Sequence, residues 1–437
     1  MKKLHIVSLG CTKNLIDTEV MLARLKEYEL TQEPNKADLI IVNTCGFIGP
    51  AKEESLQTIF DLHNQRKEGS VLVMAGCLSE RYKDELQKEL PEVDIFTGVG
   101  DYARIDELVR QKRSSFSDKV YLIKNEERLI TGSNFHAYIK LSEGCNQKCS
   151  FCAIPSFKGL LQSRPIEDIV NEIKRLTDQG FVDFTFVSQD SSSYLRDFGI
   201  KDGLVRLIEE VEKIENIKSA RILYLYPSTT TSAIIEAIAN SSVFVNYFEM
   251  PIQHISEKML KIMKRGIGAQ KTKELLAQMR QVPGSFLRTS IIVGHPGESE
   301  EDFVQLERFL QEFDFDRINL FAYSDEEGTS AYSMEAKVPQ EIIEERLSRL
   351  DTIVQEKVQK SLTQDINKEI EAYLEGSSQE SDLLLSARKK LWAPEVDGEI
   401  LINESETEDI AIGELYKVQI TQLLGDKLVG TLIRKAP

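Results

Sequence analysis

A chain of 437 residues, 41% hydrophobic and 29% charged, has room for about two to four domains and is too ordinary in composition for a disordered or fibrous protein. Its formal net charge of −17 repels phosphate backbones, so direct nucleic-acid binding is not expected and a basic protein is the better-suited partner. No apolar run reaches the ~18 residues of a membrane span, Met1-Lys2-Lys3 leads straight into a strand rather than a cleavable leader, and six cysteines are too few for a disulfide scaffold, which together point to a soluble cytoplasmic protein without a membrane partner.

Residues 1–112 alternate strand and helix. Apolar runs at 4–9, 38–42, 71–75 and 93–96 are separated by helical spacing at 14–25, 51–66 and 79–90, with a last helix from Asp101. Strands apolar along their whole length indicate a parallel sheet covered on both faces, a doubly wound α/β unit. Three cysteines fall just past the carboxyl ends of its strands: Cys11, Cys45 and Cys77, separated by 34 and 32 residues. Open α/β sheets bind ligands at that edge. One cysteine there would be a small packing residue, but three of three, with Gly10, Gly46 and Gly76 beside them, favour a site-differentiated iron–sulfur cluster.

Residues 113–134 are polar and glycine-bearing and read as a linker. A second unit, residues 135–370, opens with the strand at 136–141 and then Cys145-Asn146-Gln147-Lys148-Cys149-Ser150-Phe151-Cys152. Structural zinc takes four ligands, and the nearest histidine, His136, lies nine residues before Cys145. Three thiolates on one tight loop instead suit three irons of a 4Fe–4S cluster, leaving one iron open. Further strands at 182–187, 219–225, 247–250, 287–293 and 318–321, with helices between, are too few for a closed eight-fold barrel and fit an open, partial barrel with its chemistry at the carboxyl ends. Polar or glycine-bearing loops follow three of these strands: Ser188-Gln189-Asp190, Gln253-His254 and Val293-Gly294-His295-Pro296-Gly297-Glu298. Residues 340–370 read as a long charged helix.

From about residue 371 to 437 the pattern becomes short alternating strands and turns, a small antiparallel β-barrel of OB-like design. Residues 372–437 carry 12 acidic against 7 basic side chains, which is not the footprint of a nucleic-acid binder.

The CxxxCxxC loop, with aromatic Phe151 before its last cysteine and at the head of a partial βα barrel, resembles the radical S-adenosylmethionine superfamily. The order of a cysteine-triplet α/β domain, a radical domain and a small terminal barrel resembles the methylthiotransferases over essentially the whole chain, the last part being of the TRAM type. Gly10-Cys11-Thr12-Lys13-Asn14 with Asp17, Ser142-Glu143-Gly144-Cys145, Leu223-Tyr224-Leu225-Tyr226-Pro227, Pro251-Ile252-Gln253-His254-Ile255-Ser256, Phe321-Ala322-Tyr323-Ser324-Asp325-Glu326-Glu327-Gly328-Thr329 and Ala393-Pro394-Glu395-Val396-Asp397-Gly398 are similar to the branch that modifies a ribosomal protein. His295 departs from that branch, which more often has an aromatic residue there.

The resemblance implies two 4Fe–4S clusters, one on Cys145, Cys149 and Cys152 and one on Cys11, Cys45 and Cys77. It implies S-adenosylmethionine as both methyl donor and radical source, with Phe151, Gln189, Gln253 and Gly294 as candidate contacts. The implied reaction adds a methylthio group to an aspartate β-carbon of the small-subunit ribosomal protein numbered twelve, free or within the ribosome, with a reductase or flavodoxin supplying electrons. A transfer-RNA adenosine methylthiotransferase would be expected to carry a basic terminal barrel. A cluster carrier or scaffold would explain six cysteines but not the partial barrel. Asp325, Glu326 and Glu327 are candidate contacts to a basic substrate, and Lys13 and Arg288 candidate guides for anionic groups.

Overall fold

Strands β1 (Lys2–Ser8), β2 (Tyr28–Leu30), β3 (Leu39–Thr44), β4 (Val71–Gly76) and β5 (Ile95–Phe96) form one parallel sheet in the order β2-β1-β3-β4-β5. The computed structural model describes residues 1–124, 126–381 and 383–436; residue 125 of the expected linker and residues 382 and 437 of the expected terminal barrel lie outside the described residues. All six residues of β3 are buried, as a strand covered on both faces requires. β2 was not legible in the sequence because it is a three-residue edge strand with two exposed positions and no apolar run. The strand order is doubly wound, with its switch point between β1 and β3, and ligands of such sheets bind outside the carboxyl ends at that point.

Among its described residues the chain from 113 to 134 has no helix or strand, but it is not a loose tether. Ser115 bridges Thr97, and the Tyr121 N–H donates to the Val99 carbonyl at 2.9 Å. Arg128, buried, pairs with Glu19 of the first helix and with Glu172 at 2.7 Å.

Six parallel strands follow: β6 (His136–Lys140), then, after the short hairpin strands β7 (Ser142–Glu143) and β8 (Gln162–Ser163), β9 (Asp183–Val187), β10 (Ser219–Ile222), β11 (Tyr247–Glu249), β12 (Phe286–Val293) and β13 (Arg317–Ala322). They divide into two three-stranded ladders, β6-β9-β10 and β11-β12-β13. β10 and β11 have only four and three residues, too short to keep a continuous ladder through the bend. Single bonds still join them, such as Leu225 N–H to the Glu249 carbonyl at 2.9 Å. The result is an open arc. The helix at Thr12–Arg24 of the amino-terminal sheet packs on its first strand, β6.

The long helix runs from Gln340 to Thr363 and ends where β14 (Glu369–Ser377) is about to start. With β15 (Leu385–Lys389), β16 (Ile400–Ser405), β17 (Leu415–Leu424) and β18 (Lys427–Lys435) it forms a closed barrel in the order β14-β15-β16-β18-β17. Four of its pairings are antiparallel, but β16 and β18 pair in parallel, which the short alternating strands did not signal. This barrel docks on the starts of the arc strands. Asp183, the first residue of β9, accepts from Arg221 and from Arg388 at 2.8 Å, and Ser219, the first of β10, bonds the Tyr373 hydroxyl at 2.8 Å. One apolar cluster runs from Ile16 and Val20 through Tyr138, Leu223, Tyr247 and Phe286 into Trp392, Ile400 and Tyr416, fastening the three parts together.

Candidate metal centres

The amino-terminal thiols meet because three loops press onto one another at the switch point. Cys11 precedes the helix at Thr12–Arg24 and is exposed, whereas Cys45 and Cys77 are buried. Gly10 has φ +83°, and a Cβ there would stand 2.7 Å from Cys45 Cβ. A Cβ on Gly46 would stand 2.8 Å from the Leu78 backbone, so the loop after β3 also closes on the one after β4. Asn14 ties the group: its amide donates to the Leu9 carbonyl at 3.0 Å and the Thr44 carbonyl at 3.2 Å, and its Oδ1 accepts from Cys77 Sγ at 3.6 Å. In the sequence Asn14 stands out only as part of a motif. Its signal is an amide on the first turn of a helix leaving a strand end, next to an otherwise unlinked cysteine.

The second triad lies on a loop whose base is closed by the β7–β8 pairing. The Cys145 N–H donates to the Gly159 carbonyl at 3.1 Å. Cys149 Sγ receives Arg265 Nη1 at 3.1 Å and lies 3.3 Å from the Tyr226 hydroxyl, while Arg265 stacks over the Tyr226 ring and donates to the Pro251 carbonyl at 2.6 Å. Ser150 Oγ donates to His295 Nε2 at 2.8 Å, because His295 Nδ1 donates to the Pro296 carbonyl at 2.9 Å. Burial lowers His295 to about 4, so it is neutral at physiological pH. Its ring meets Phe151 and Tyr323 edge-on at 6.2 and 5.2 Å. The departure from an aromatic residue at 295 thus keeps the aromatic packing and adds a hydrogen bond to the cysteine loop.

Burial pushes the thiols of Cys77, Cys145 and Cys152 up to about 12. Thiols so placed are poor nucleophiles and give up their protons to a metal that coordinates them. Among the described residues, no three His, Cys, Asp or Glu side chains converge on a point that one metal ion could occupy. A cubane cluster asks for something else, since each thiolate binds a different iron. The donor set suits such a cluster better than zinc.

Three strand ends of the arc carry unusual backbone or unspent polar atoms. Gln189, after β9, donates its amide to Glu143 and leaves Oε1 buried without a partner among the described residues. Tyr224 and Gln253, after β10 and β11, have φ of +64° and +69°, and Gln253 Oε1 is likewise buried and unpartnered. Buried acceptors of this kind are rare unless a ligand or water completes them. Gly294 is different. It has φ +84°, and a Cβ would overlap the Ile343 side chain of the long helix, so packing and conformation explain this glycine without a ligand.

The elements that carry the two triads pack against each other. Cys77 begins a helix, Cys77–Arg81, and shares an apolar cluster with Ala153 and Phe157, in and beside the helix that follows Cys152. Lys140 Nζ reaches Asp17 at 2.5 Å and Glu143 at 2.8 Å, and Lys158 Nζ lies 3.4 Å from each carboxylate. Burial alone would raise the Glu143 carboxyl; Lys140 and Lys158 outweigh it and hold it below the usual carboxylate range. Asp17 and Glu143, quoted above from separate motifs, are therefore two halves of one ion lattice.

Of the acidic loop 325–327, Glu326 is buried and spent on Lys52 at 2.8 Å and Arg81 at 2.7 Å of the amino-terminal sheet. Asp325 pairs with Lys337 at 2.5 Å. Only the Glu327 side chain is exposed without an ion pair among the described residues, so the expected substrate contact narrows to that residue. Arg288 lies 4.0 Å from Glu249 and 3.8 Å from Asp397, its charge answered within the fold.

A six-strand parallel arc with a three-thiol loop after its first strand defines a radical S-adenosylmethionine enzyme, and the Radical SAM superfamily model matches residues 139–310. The model of Uncharacterized protein family UPF0004 matches residues 3–98 and that of the TRAM domain residues 366–433. The radical S-adenosylmethionine methyltransferase TsrM from Kitasatospora setae shares the fold with a TM-score of 0.54 at 13% identity, over 73% of each chain. Ribosomal protein uS12 methylthiotransferase RimO of a Nitratiruptor species is 77% identical over 99% of both chains. The protein of the same name from Aliarcobacter butzleri is 61% identical over 99% of this chain and 98% of its own. The chain belongs to the RimO family of ribosomal protein uS12 methylthiotransferases.

Proposed function

We propose that this protein adds a methylthio group to the β-carbon of an aspartate in ribosomal protein uS12. The observation that supports the reading beyond family likeness is that the helix begun by Cys77 packs beside the helix that follows Cys152, so the elements carrying the two cysteine groups are neighbours. Cys145, Cys149 and Cys152 would hold one 4Fe–4S cluster, and Cys11, Cys45 and Cys77 the other. When bound, these clusters and S-adenosylmethionine supply the reducing electron, the hydrogen-abstracting radical, and the methylated sulfur. The protein's own part is to orient and exclude water. Gln189 and Gln253 offer buried amide oxygens to the cofactor's donors, and Phe151 and Ser150 are fixed by His295.

The division of labour follows chain order: residues 1–112 carry the sulfur site, 135–370 the radical site, and 371–437 the terminal barrel, with 113–134 between them. A reductase or flavodoxin supplies electrons, and the reaction takes place in the cytoplasm. Among the described residues no helix is long and apolar enough to cross a membrane. A net charge of −17 and an acidic terminal barrel suit a basic ribosomal protein rather than transfer RNA.

The test is mass spectrometry of uS12 after anaerobic incubation with the reconstituted enzyme, reductant and S-adenosylmethionine. One methylthio group on one aspartate is expected. Modification of transfer RNA with uS12 left unchanged would overturn the reading.

A further inference from the structure

Lys13 is a buried cation without an ion pair among the described residues. It is 8% exposed, yet no carboxylate among the described residues lies within ion-pairing distance of its ammonium. Three N–H donors need acceptors, and one is within reach, the Ser188 carbonyl at 3.5 Å. The ammonium otherwise lies over the Tyr224 ring, 3.8 Å from its centroid. Besides Tyr224 and the Cys11 thiol, its electrostatic neighbours are the carboxylates of Glu143 and Glu249 at longer range. Each already has a partner: Glu143 has Lys140 and Lys158, and Glu249 has Arg288. A buried charge without a counter-ion is strongly unfavourable unless an anion completes the site.

Its position says which anion. Lys13 comes from the amino-terminal sheet, two residues past exposed Cys11, and reaches the carboxyl ends of β9 and β10 in the arc. It therefore reaches from beside Cys11 to the carboxyl rim of the arc. Tyr224, half-buried above it, holds a left-handed backbone that a non-glycine residue keeps only where the surroundings impose it. Thr12 Oγ1, next in the chain, is also buried without a partner among the described residues.

We propose that Lys13, with Tyr224 as its lid, binds the side-chain carboxylate of the target aspartate and so presents the adjacent β-carbon between the two thiol triads. This rests on the uS12 reading above. It makes Lys13 a specificity residue: it selects an acidic side chain over an amide or a nucleobase.

The experiment measures binding of uS12, and of uS12 with its target Asp→Asn, to reconstituted enzyme with S-adenosylmethionine and no reductant, so that nothing turns over. Wild type should prefer the aspartate form by at least about tenfold, the range of a hydrogen bond to a charged group. Lys13→Met should erase that preference and Lys13→Arg retain part of it, with iron content and cluster spectra unchanged. An equal affinity of wild type for both forms overturns the proposal, and needs no enzyme variant that must fold. So does a Lys13→Met enzyme that keeps the preference; if it also loses iron, the lysine is a counter-ion for the cluster at Cys11. If reduced wild type leaves uS12 unmodified, the uS12 reading falls and this proposal with it. If it modifies uS12 but Lys13→Met keeps the preference, only this proposal falls.

Discussion

Burial keeps the thiols of Cys77, Cys145 and Cys152 protonated until a metal displaces the proton, so these three are poor nucleophiles without a cluster. Cys77→Ala and Cys152→Ala should therefore each lose about half the iron after anaerobic reconstitution, by iron assay and electron paramagnetic resonance. Full iron in Cys77→Ala would remove the amino-terminal centre. Burial also lowers His136 and His254 to about 3. Both are neutral in the fold but take a proton below about 6.5 once unfolded. Stability from these two residues is complete above that pH and falls as pH drops from 6.5 toward 3, at about 1.4 kcal/mol per unit for each. Urea midpoints compared at pH 7 and 5 should show this slope, and His136→Gln should halve the part due to this pair.

At the scale of elements, glycine and short pairings set where side chains end up. Gly294→Ala forces a side chain into left-handed backbone and against Ile343, so a loss of about 2–4 kcal/mol is expected in chemical unfolding. A neutral result would mean that the long helix can shift at that contact. The sequence reading gave this glycine to a ligand, because a glycine after a strand looks the same whether a cofactor or a helix approaches it. The six arc strands were legible from their apolar runs. Their break into two ladders was not, because the number of residues surviving in β10 and β11 depends on curvature that no local pattern records. The parallel β16–β18 pairing was hidden for a related reason: alternation fixes which residues face inward, not which strand lies alongside.

Across the whole molecule, buried ion pairs join parts that are far apart in the chain. Glu326 links the arc to Lys52 and Arg81 of the first sheet, and Asp183 links the arc to Arg388 of the terminal barrel. Burial raises the Glu326 carboxyl, and its bonds from Lys52, Ser324 and Arg81 outweigh that and lower it. Its contribution is present above the unfolded carboxylate range and lost as pH falls below it. Glu326→Gln should destabilise by about 2–4 kcal/mol, less than a fully buried pair because Lys52 is partly exposed, and should loosen the sheet against the arc. Hydrogen exchange in residues 49–65 and 77–81 reports the second effect; unchanged protection there would make the clamp dispensable.

The sequence by itself determined the ingredients: two sets of three thiols, an α/β rhythm, an open arc of six strands, a terminal barrel and an acidic surface. Each is a property of a few neighbouring residues or of a summed composition, so it survives without the fold. Only the tertiary structure decided which charges answer one another. Lys140 finds Asp17 across 123 residues and Glu326 finds Lys52 across 274, while Lys13 forms no ion pair among the described residues. Pairing at such range is fixed by how helices and sheets pack, and a buried charge has meaning only once every neighbour is in position.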